Sequence, residues 1–509
     1  MKVVCLVANP ISKDARVQKE ANAIKDFGHE VIVVGLQDKN NNVAYEKNKN
    51  GVEYYRLPWK SYAYRRVARF ALWVGFAMLV AMVIAYKLLE NKTIESLNNQ
   101  LYSFFNSLVT AFLEMGAIGH IFIIFGGLIC LKALRVSKAY KNISMRYART
   151  FEQELPIRED VVADKSNFWG VFLSRFKSIG VQLLVRRFRD NAFSSFAIKL
   201  KPDVVHCHDI TTLRAGVKIK AKTKAKLVYD AHEYYEDTAG LPSNHRKLYR
   251  IIHTLCNQQV DLFIVVNKYF GELYKKKYRG FNSPVVVMNA LNQPMNIDYD
   301  GRLHHAAGLK LDTKILLFQG GFTLHRGIER LIDAAIKLPQ DWCLVMMGWG
   351  RLEEPMKQRL MLSNNGNNLV KFLPPAPQDE LMKWTAGATV GIIPYEDEGI
   401  NHKYCTPNKL WEFPAAGVPF IATPRVVMKD MIHEYRHGEI IEDNYTVQEL
   451  IGALKKISEN HAEYKKNCIR FVEENSWEKN KIVLKQEYEK IQVNNFSARN
   501  LLRSTSQSV

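Results

Sequence analysis

The first thirty-six residues constrain the fold more than any other feature. An unbroken apolar run, Val3–Ala8, passes through the loop Asn9-Pro10-Ile11-Ser12 into a helical stretch over Asp14–Phe27. Gly28 stands where a helix stops, and Glu30–Leu36 is a second apolar run. Strands that are apolar throughout, rather than at alternate residues, are buried on both faces, which points to a parallel sheet covered by helices on either side. Val52–Leu57 reads as a third strand. The rhythm resumes with Val204–Cys207, Lys226–Tyr229, Leu262–Val266 and Val285–Met288. After a linker, Asn289–Tyr299, it continues with Ile315–Phe318, the helix Ile328–Leu338, then Leu344–Met347, Val370–Leu373 and Val390–Ile393. At 509 residues, two α/β domains are expected. The first takes residues 1–61 and 137–290, the second 291–475. Residues 476–509 are expected to give a helix, Ser476–Val493, and a disordered tail from Asn494.

Residues 62–136 break the rhythm. Phe70–Tyr86 is uncharged and apolar, and in Met115–Leu131 only His120 can ionise. Each is at the short end of the roughly 17–25 residues that span a bilayer. Arg65, Arg66 and Arg69 precede the first stretch; Lys132, Arg135, Lys138 and Lys141 follow the second. By the positive-inside rule both outer ends face the cytoplasm, so a hydrophobic helical hairpin is expected, spanning or embedded. Glu114, at the edge of the second stretch, favours the embedded form. Phe168–Leu200 then interleaves apolar residues with Lys177, Arg186, Arg187 and Arg189, as a helix packed on the sheet with a solvated basic face does, and as does one lying on an anionic membrane surface, the reading that the neighbouring hairpin favours. The net charge of +20 agrees with an anionic partner. No nucleic-acid module accompanies that charge, so nucleic acid is not expected. No secretory signal opens the sequence, and the seven cysteines show no metal-ligand spacing. Cys5, Cys207 and Cys343 sit in apolar runs and are expected to be reduced and buried.

Doubly wound domains place their ligands at the carboxyl ends of their strands. Four segments at such ends carry suitable residues. Gln319-Gly320-Gly321-Phe322 lies between a strand and a helix, where paired glycines let backbone amides approach a phosphate, although a plain tight turn would also use them. His325 and Arg326 follow, and a guanidinium there could pair with diphosphate oxygens. Thr406-Pro407-Asn408-Lys409 leads into a helix with Glu412 one turn in, where a carboxylate can accept both hydroxyls of a ribose. In the first domain, His206-Cys207-His208-Asp209 and Asp230-Ala231-His232-Glu233 end two strands. Such clusters also suit metal, but no HExxH-like spacing occurs and none is expected.

The run PNKLWEFPAAGVPFIAT, preceded by FQGGFTLHRGIERLIDA, resembles the retaining glycosyltransferases of family four. KPDVVHCHD, YDAHE, DLFIVVN and DARVQKEA resemble the same family in the first domain. The resemblance implies a GT-B fold, two facing Rossmann-like domains with parallel sheets, here with the hairpin inserted in the N-terminal one. It implies that Glu412 binds the donor ribose and that His232 reaches the donor sugar and diphosphate. Arg326 aligns with the basic residue, usually lysine, that holds the diphosphate. Gly320 and Gly321 match the phosphate-facing loop, with Gly321 where the family often has arginine. Tyr404 stands where the family has an earlier glutamate, so Asn401, His402 or Asn408 would supply those contacts. His232, Arg326 and Glu412 are thus expected to be catalytic, and Gly320, Gly321, Asn408, Lys409 and Tyr404 to bind the donor. Asn9, Asp14, Arg16, His208 and Asp209 are expected on the acceptor side.

The implied reaction moves a sugar, with retention, from a UDP- or GDP-linked donor to a lipid-linked saccharide in cell-surface polysaccharide biosynthesis. It needs no metal, because Arg326 and loop amides neutralise the leaving diphosphate. The Asp298-Tyr299-Asp300 triplet, a metal-binding pattern elsewhere, falls in the linker and is read as chance. The expected place is the cytoplasmic face of the inner membrane. A nucleotide-sugar 2-epimerase of the same fold, or a catalytically silent membrane scaffold, are the alternatives.

Overall fold

The computed structural model describes residues 1–12, 14–38, 43–58, 186–238, 241–291, 297–361 and 369–506. The expected hairpin, 62–136, lies outside the described residues, as does 168–185 of the basic stretch; 186–199 is helical. Among the described residues no helix is long and apolar enough to cross a membrane.

Eight strands form the first sheet: β1 (Lys2–Leu6), β2 (Glu30–Leu36), β3 (Tyr45–Lys47), β4 (Glu53–Leu57), β5 (Val204–His208), β6 (Lys226–Ala231), β7 (Leu262–Val265) and β8 (Val285–Val286). Their order is β3-β4-β2-β1-β5-β6-β7-β8. Every pairing is parallel except β3 with β4. The second sheet holds β9 (Lys314–Gly321), β10 (Trp342–Trp349), β11 (Val370–Leu373), β12 (Val390–Ile393), β13 (Phe420–Ala422) and β14 (Gly438–Ile440). It is parallel throughout, in the order β11-β10-β9-β12-β13-β14. In both sheets the chain starts near the middle and reverses direction, which creates the crevice at the strand ends where doubly wound folds bind ligands.

Continuous burial explains the parallel arrangement. All of β5 and β7, and every residue of β2 after Glu30, is buried. Helix α1 (Ala15–Asp26) starts at Asp14, whose side chain accepts from the Val17 amide, and packs Val17, Ala21 and Ile24 on the sheet. Helix α2 (Ile210–Thr223) lies so close to β5 that a Cβ on Gly216 would come within 2.3 Å of Cys207 Sγ. Cys5, Cys207 and Cys343 are buried, as expected; Cys130 lies outside the described residues.

Helices α3 (Ile328–Ala335), α4 (Gly399–Lys403) and α5 (Lys409–Ala415) belong to the second domain. The last helix, α6 (Trp477–Ser506), returns to the first. Trp477, Leu484, Tyr488 and Ile491, spaced to fall on one helical face, join the core of Val3, Cys5, Val33 and Ile264. Asn480 accepts from the Met288 amide at 2.7 Å and fixes where the helix crosses. The expected disordered tail is corrected here: the backbone stays helical from Asn494 to Ser506, a stretch without proline or glycine to end it.

Candidate functional site

Side chains two apart on a strand share a face. This places His206 with His208 on β5, and Asp230 with His232 at the end of β6, where His208 pairs in register with Asp230. Arg16 of α1 reaches into the group. Its Nε and Nη2 donate to the two Asp230 oxygens at 2.9 and 2.8 Å, and its Nη1 to the Val287 carbonyl at 2.8 Å. Arg16 Nη2 also lies 2.9 Å from Glu20 Oε1. Two buried carboxylates would be costly alone, and the guanidinium between them offsets that cost. Burial opposes charge on Asp230, yet Arg16 and His232 hold its carboxyl well below the usual range. At Glu20 burial outweighs Arg16, and the carboxyl is raised. Burial also lowers both His206 and His208, which are stacked 4.4 Å apart. His206 Nδ1 meets the Tyr488 hydroxyl of α6 at 2.8 Å.

His232 is where this group reaches the cleft. Its Nε2 is 2.9 Å from Asp230 Oδ2, and its Nδ1 is 3.2 Å from Asp209 Oδ1, an ion-pair distance without the alignment of a hydrogen bond. Burial disfavours its charge, but Asp209 and Asp230 outweigh burial and push its pKa up to about 10. Asp209 itself, beside the half-buried His232, is pushed up by burial to about 7. Its backbone is unusual: φ 66° and ψ 156°, a region that favours glycine. Such a conformation costs on the order of 1–3 kcal/mol. Asp209 also stands at the N-cap of α2 without making a side-chain cap bond, forgoing about 1 kcal/mol.

Glu20, His206, His208 and Asp230 bring their donor atoms within 4.8 Å of one another, as metal ligands would. Arg16 and the His232 imidazolium already face the Asp230 carboxylate, and burial favours the protonated form of Glu20, so a divalent ion would add uncompensated charge to a buried site.

The second-domain residues gather at the end of β9. Gln319, buried there, donates to Glu412 Oε2 at 2.7 Å and accepts from Thr385 Oγ1 at 2.9 Å, which fixes the Glu412 carboxylate. Gly320 has φ 128°, and a Cβ on it would lie 2.5 Å from Lys409 Nζ. The missing side chain is therefore what lets the Lys409 ammonium rest on the loop. Burial lowers the Lys409 pKa to about 8, against the pull of Glu412. The Arg326 guanidinium lies 4.1 Å over the Tyr395 ring, and burial lowers its pKa against the influence of Cys405 and Glu233. A cavity of about 580 Å³ beside α3 takes in His325 and Glu396 but none of Gly320, Arg326, Lys409 or Glu412.

Other predicted residues have different surroundings. Asn9 and Asp14 bond each other at 2.7 Å and shape the loop before α1. Arg16 and His208 are buried behind His232. Tyr404 stacks on Tyr269 of the first domain at 5.4 Å, and its carbonyl accepts from Asn267 Nδ2 at 3.0 Å. Asn401 accepts from the Tyr234 amide at 3.0 Å, His402 faces the Glu396 carbonyl, and Asn408 accepts from Asn289. The segment carrying Asn401 and Tyr404 is thus a seam between the domains. Asp300, of the linker triplet, pairs with Arg302. Sequence reading gave no role to Glu20, His206, Asp230 or Gln319. The signal available for Asp230 was its spacing of two from His232, which lies just past the end of β6.

Residues 301–475 match the family model of the glycosyl transferases group 1, and residues 145–290 that of glycosyltransferase family 4. An uncharacterised glycosyltransferase of Methanocaldococcus jannaschii is 28% identical over 214 residues, 39% of this chain and 54% of that protein. The match therefore spans about half the length of that curated relative. Among solved structures, sucrose-phosphate synthase from Thermosynechococcus elongatus superposes with a TM-score of 0.61 at 12% identity, over 97% of this chain and all of that one. Anabaena HepE in complex with UDP and glucose gives 0.54 at 12% identity, over 97% of this chain and all of that one. At these identities the two structures speak for the fold alone.

Proposed function

For a chain that belongs to the group 1 glycosyltransferases of GT-B fold, we propose that it transfers a sugar from a UDP- or GDP-linked donor to a lipid-linked saccharide, with retention of anomeric configuration. The observation that carries this is the Glu412 carboxylate, fixed by Gln319 beside the Gly320–Gly321 loop and the Lys409 ammonium. A ribose with its two hydroxyls suits the carboxylate, and a diphosphate suits the glycine loop with Lys409 and Arg326. Those cations neutralise the leaving diphosphate, so no metal is required. UDP in the HepE complex agrees with such a donor.

The acceptor is proposed on the sequence of the insert. Residues 62–136 anchor the first domain at the cytoplasmic face of the inner membrane, where a lipid-carried acceptor would be concentrated. The reaction then serves cell-surface polysaccharide synthesis. Sucrose-phosphate synthase, of like fold, makes a water-soluble acceptor the competing choice.

The test is incubation of membranes carrying the protein with radiolabelled UDP- and GDP-sugars and a lipid extract. Label should enter the organic phase. Glu412→Ala should reduce that transfer tenfold or more, since hydrogen bonds to a charged group are each worth about 1.5–3 kcal/mol. Undiminished transfer by the variant would remove the donor assignment, and label confined to water-soluble product would remove the lipid acceptor.

A further inference from the structure

Asp209 is held in a way that stability alone does not explain. An aspartate at the start of a helix ordinarily turns its carboxylate onto the exposed amides of the first turn. Asp209 leaves that bond unmade, takes φ 66° and ψ 156°, and turns its Oδ1 to His232 Nδ1 at 3.2 Å. That oxygen is shielded from solvent although the side chain as a whole is 26% exposed. Strain of this kind persists where the surroundings fix it and the position is used. The position is informative. Asp230 already meets His232 Nε2, so Asp209 supplies the second carboxylate and the ring is flanked at both nitrogens.

We propose that Asp209 is a positioning residue for transfer, holding His232 as a doubly flanked imidazolium whose charge faces the departing diphosphate. This rests on the reading that the cleft binds a nucleotide-sugar. The Asp230 carboxylate alone cannot do the same, because it is shared with Arg16. Asp209 and His232 are surrounded by Asp14, Arg16 and Glu20 from α1 and its cap, His206 and His208 from β5, and Asp230 and Glu233 from β6 and its loop. Of these, Asp209 and Asp230 act most strongly to keep the ring charged.

The stability consequence has a definite sign. The Asp209 carboxyl binds its proton more tightly in the folded protein than in the unfolded chain, so the folded state is favoured by protonation. That advantage is whole below the ordinary carboxylate range and is lost as pH rises through about 7.

Two variants of the full chain test the proposal, Asp209→Gly and Asp209→Asn. Glycine accepts the φ/ψ without strain, so Asp209→Gly should melt higher than the parent, by more at about pH 8 than at about pH 5. In both variants the His232 resonance, followed by NMR of histidine-labelled protein and assigned by its loss in His232→Asn, should titrate at least one unit lower. The kcat should fall tenfold or more, and its alkaline limb should move to lower pH. A His232 titration unchanged in both variants, or an Asp209→Gly protein that melts below the parent, overturns the proposal. Should the parent turn over no nucleotide-sugar, the functional reading fails, while the melting and titration results still decide the Asp209–His232 coupling.

Discussion

The two domains carry charge toward the cleft in opposite ways. In the first, charge is fixed by internal pairing: Arg16, Glu20, Asp230, His232 and Asp209 are held to one another, with only His232 and Asp209 partly exposed. In the second, charge awaits a partner. Lys409 rests on a glycine loop, Arg326 lies on an aromatic ring, and neither makes an ion pair among the described residues. The first arrangement gives a site its shape before any ligand arrives. The second gives it an appetite for an anion. A transferase needs both, since a preorganised group acts in the transition state and an unpaired cation binds the group that leaves.

That contrast predicts different responses to substitution. The largest effect is expected in the first domain, from Asp230→Ala, which leaves Arg16 and His232 with a lost partner inside the protein. Breaking a buried pair from one side costs about 3–5 kcal/mol, to be read by chemical denaturation. A variant as stable as the parent would show that the network is not the locked unit described. Lys409→Met should behave oppositely, folding normally but binding UDP or GDP about 1.5–3 kcal/mol more weakly by calorimetry. In the parent, that affinity should fall as pH rises through about 8, where the Lys409 charge is lost. Affinity flat from about pH 7 to 9 would remove Lys409 from the diphosphate site. The smallest effect sharpens the comparison. Thr385→Val frees Gln319 from its anchor and should weaken nucleotide binding by about 1 kcal/mol through a looser Glu412.

What was legible in the sequence follows the range of the forces involved. Glu30–Leu36 and Val390–Ile393 were read to the residue, because strands buried on both faces announce themselves locally. Phe420–Ala422, Gly438–Ile440 and the antiparallel Tyr45–Lys47 are too short to show a period, and pairing alone defines them. The polar residues of the cleft were visible as types at strand ends, but not their assignments. Arg16 finds Asp230 across 214 positions of sequence, and nothing near either announces the pair. The family resemblance put Tyr404 at the donor. Its ring also stacks on Tyr269, a contact that only tertiary packing creates.

The return of α6 to the first domain bears on how such a chain is made. Trp477, Leu484, Tyr488 and Ile491 seal the core that β1 begins. On the ribosome, the first domain must therefore wait, its apolar face uncovered, until the whole second domain has been synthesised. The second domain has no such debt and can close as it emerges. Chaperone dependence during synthesis should thus fall on the domain that is translated earliest, and a chain cut short before Trp477 would leave its opening domain, not its last, unfinished.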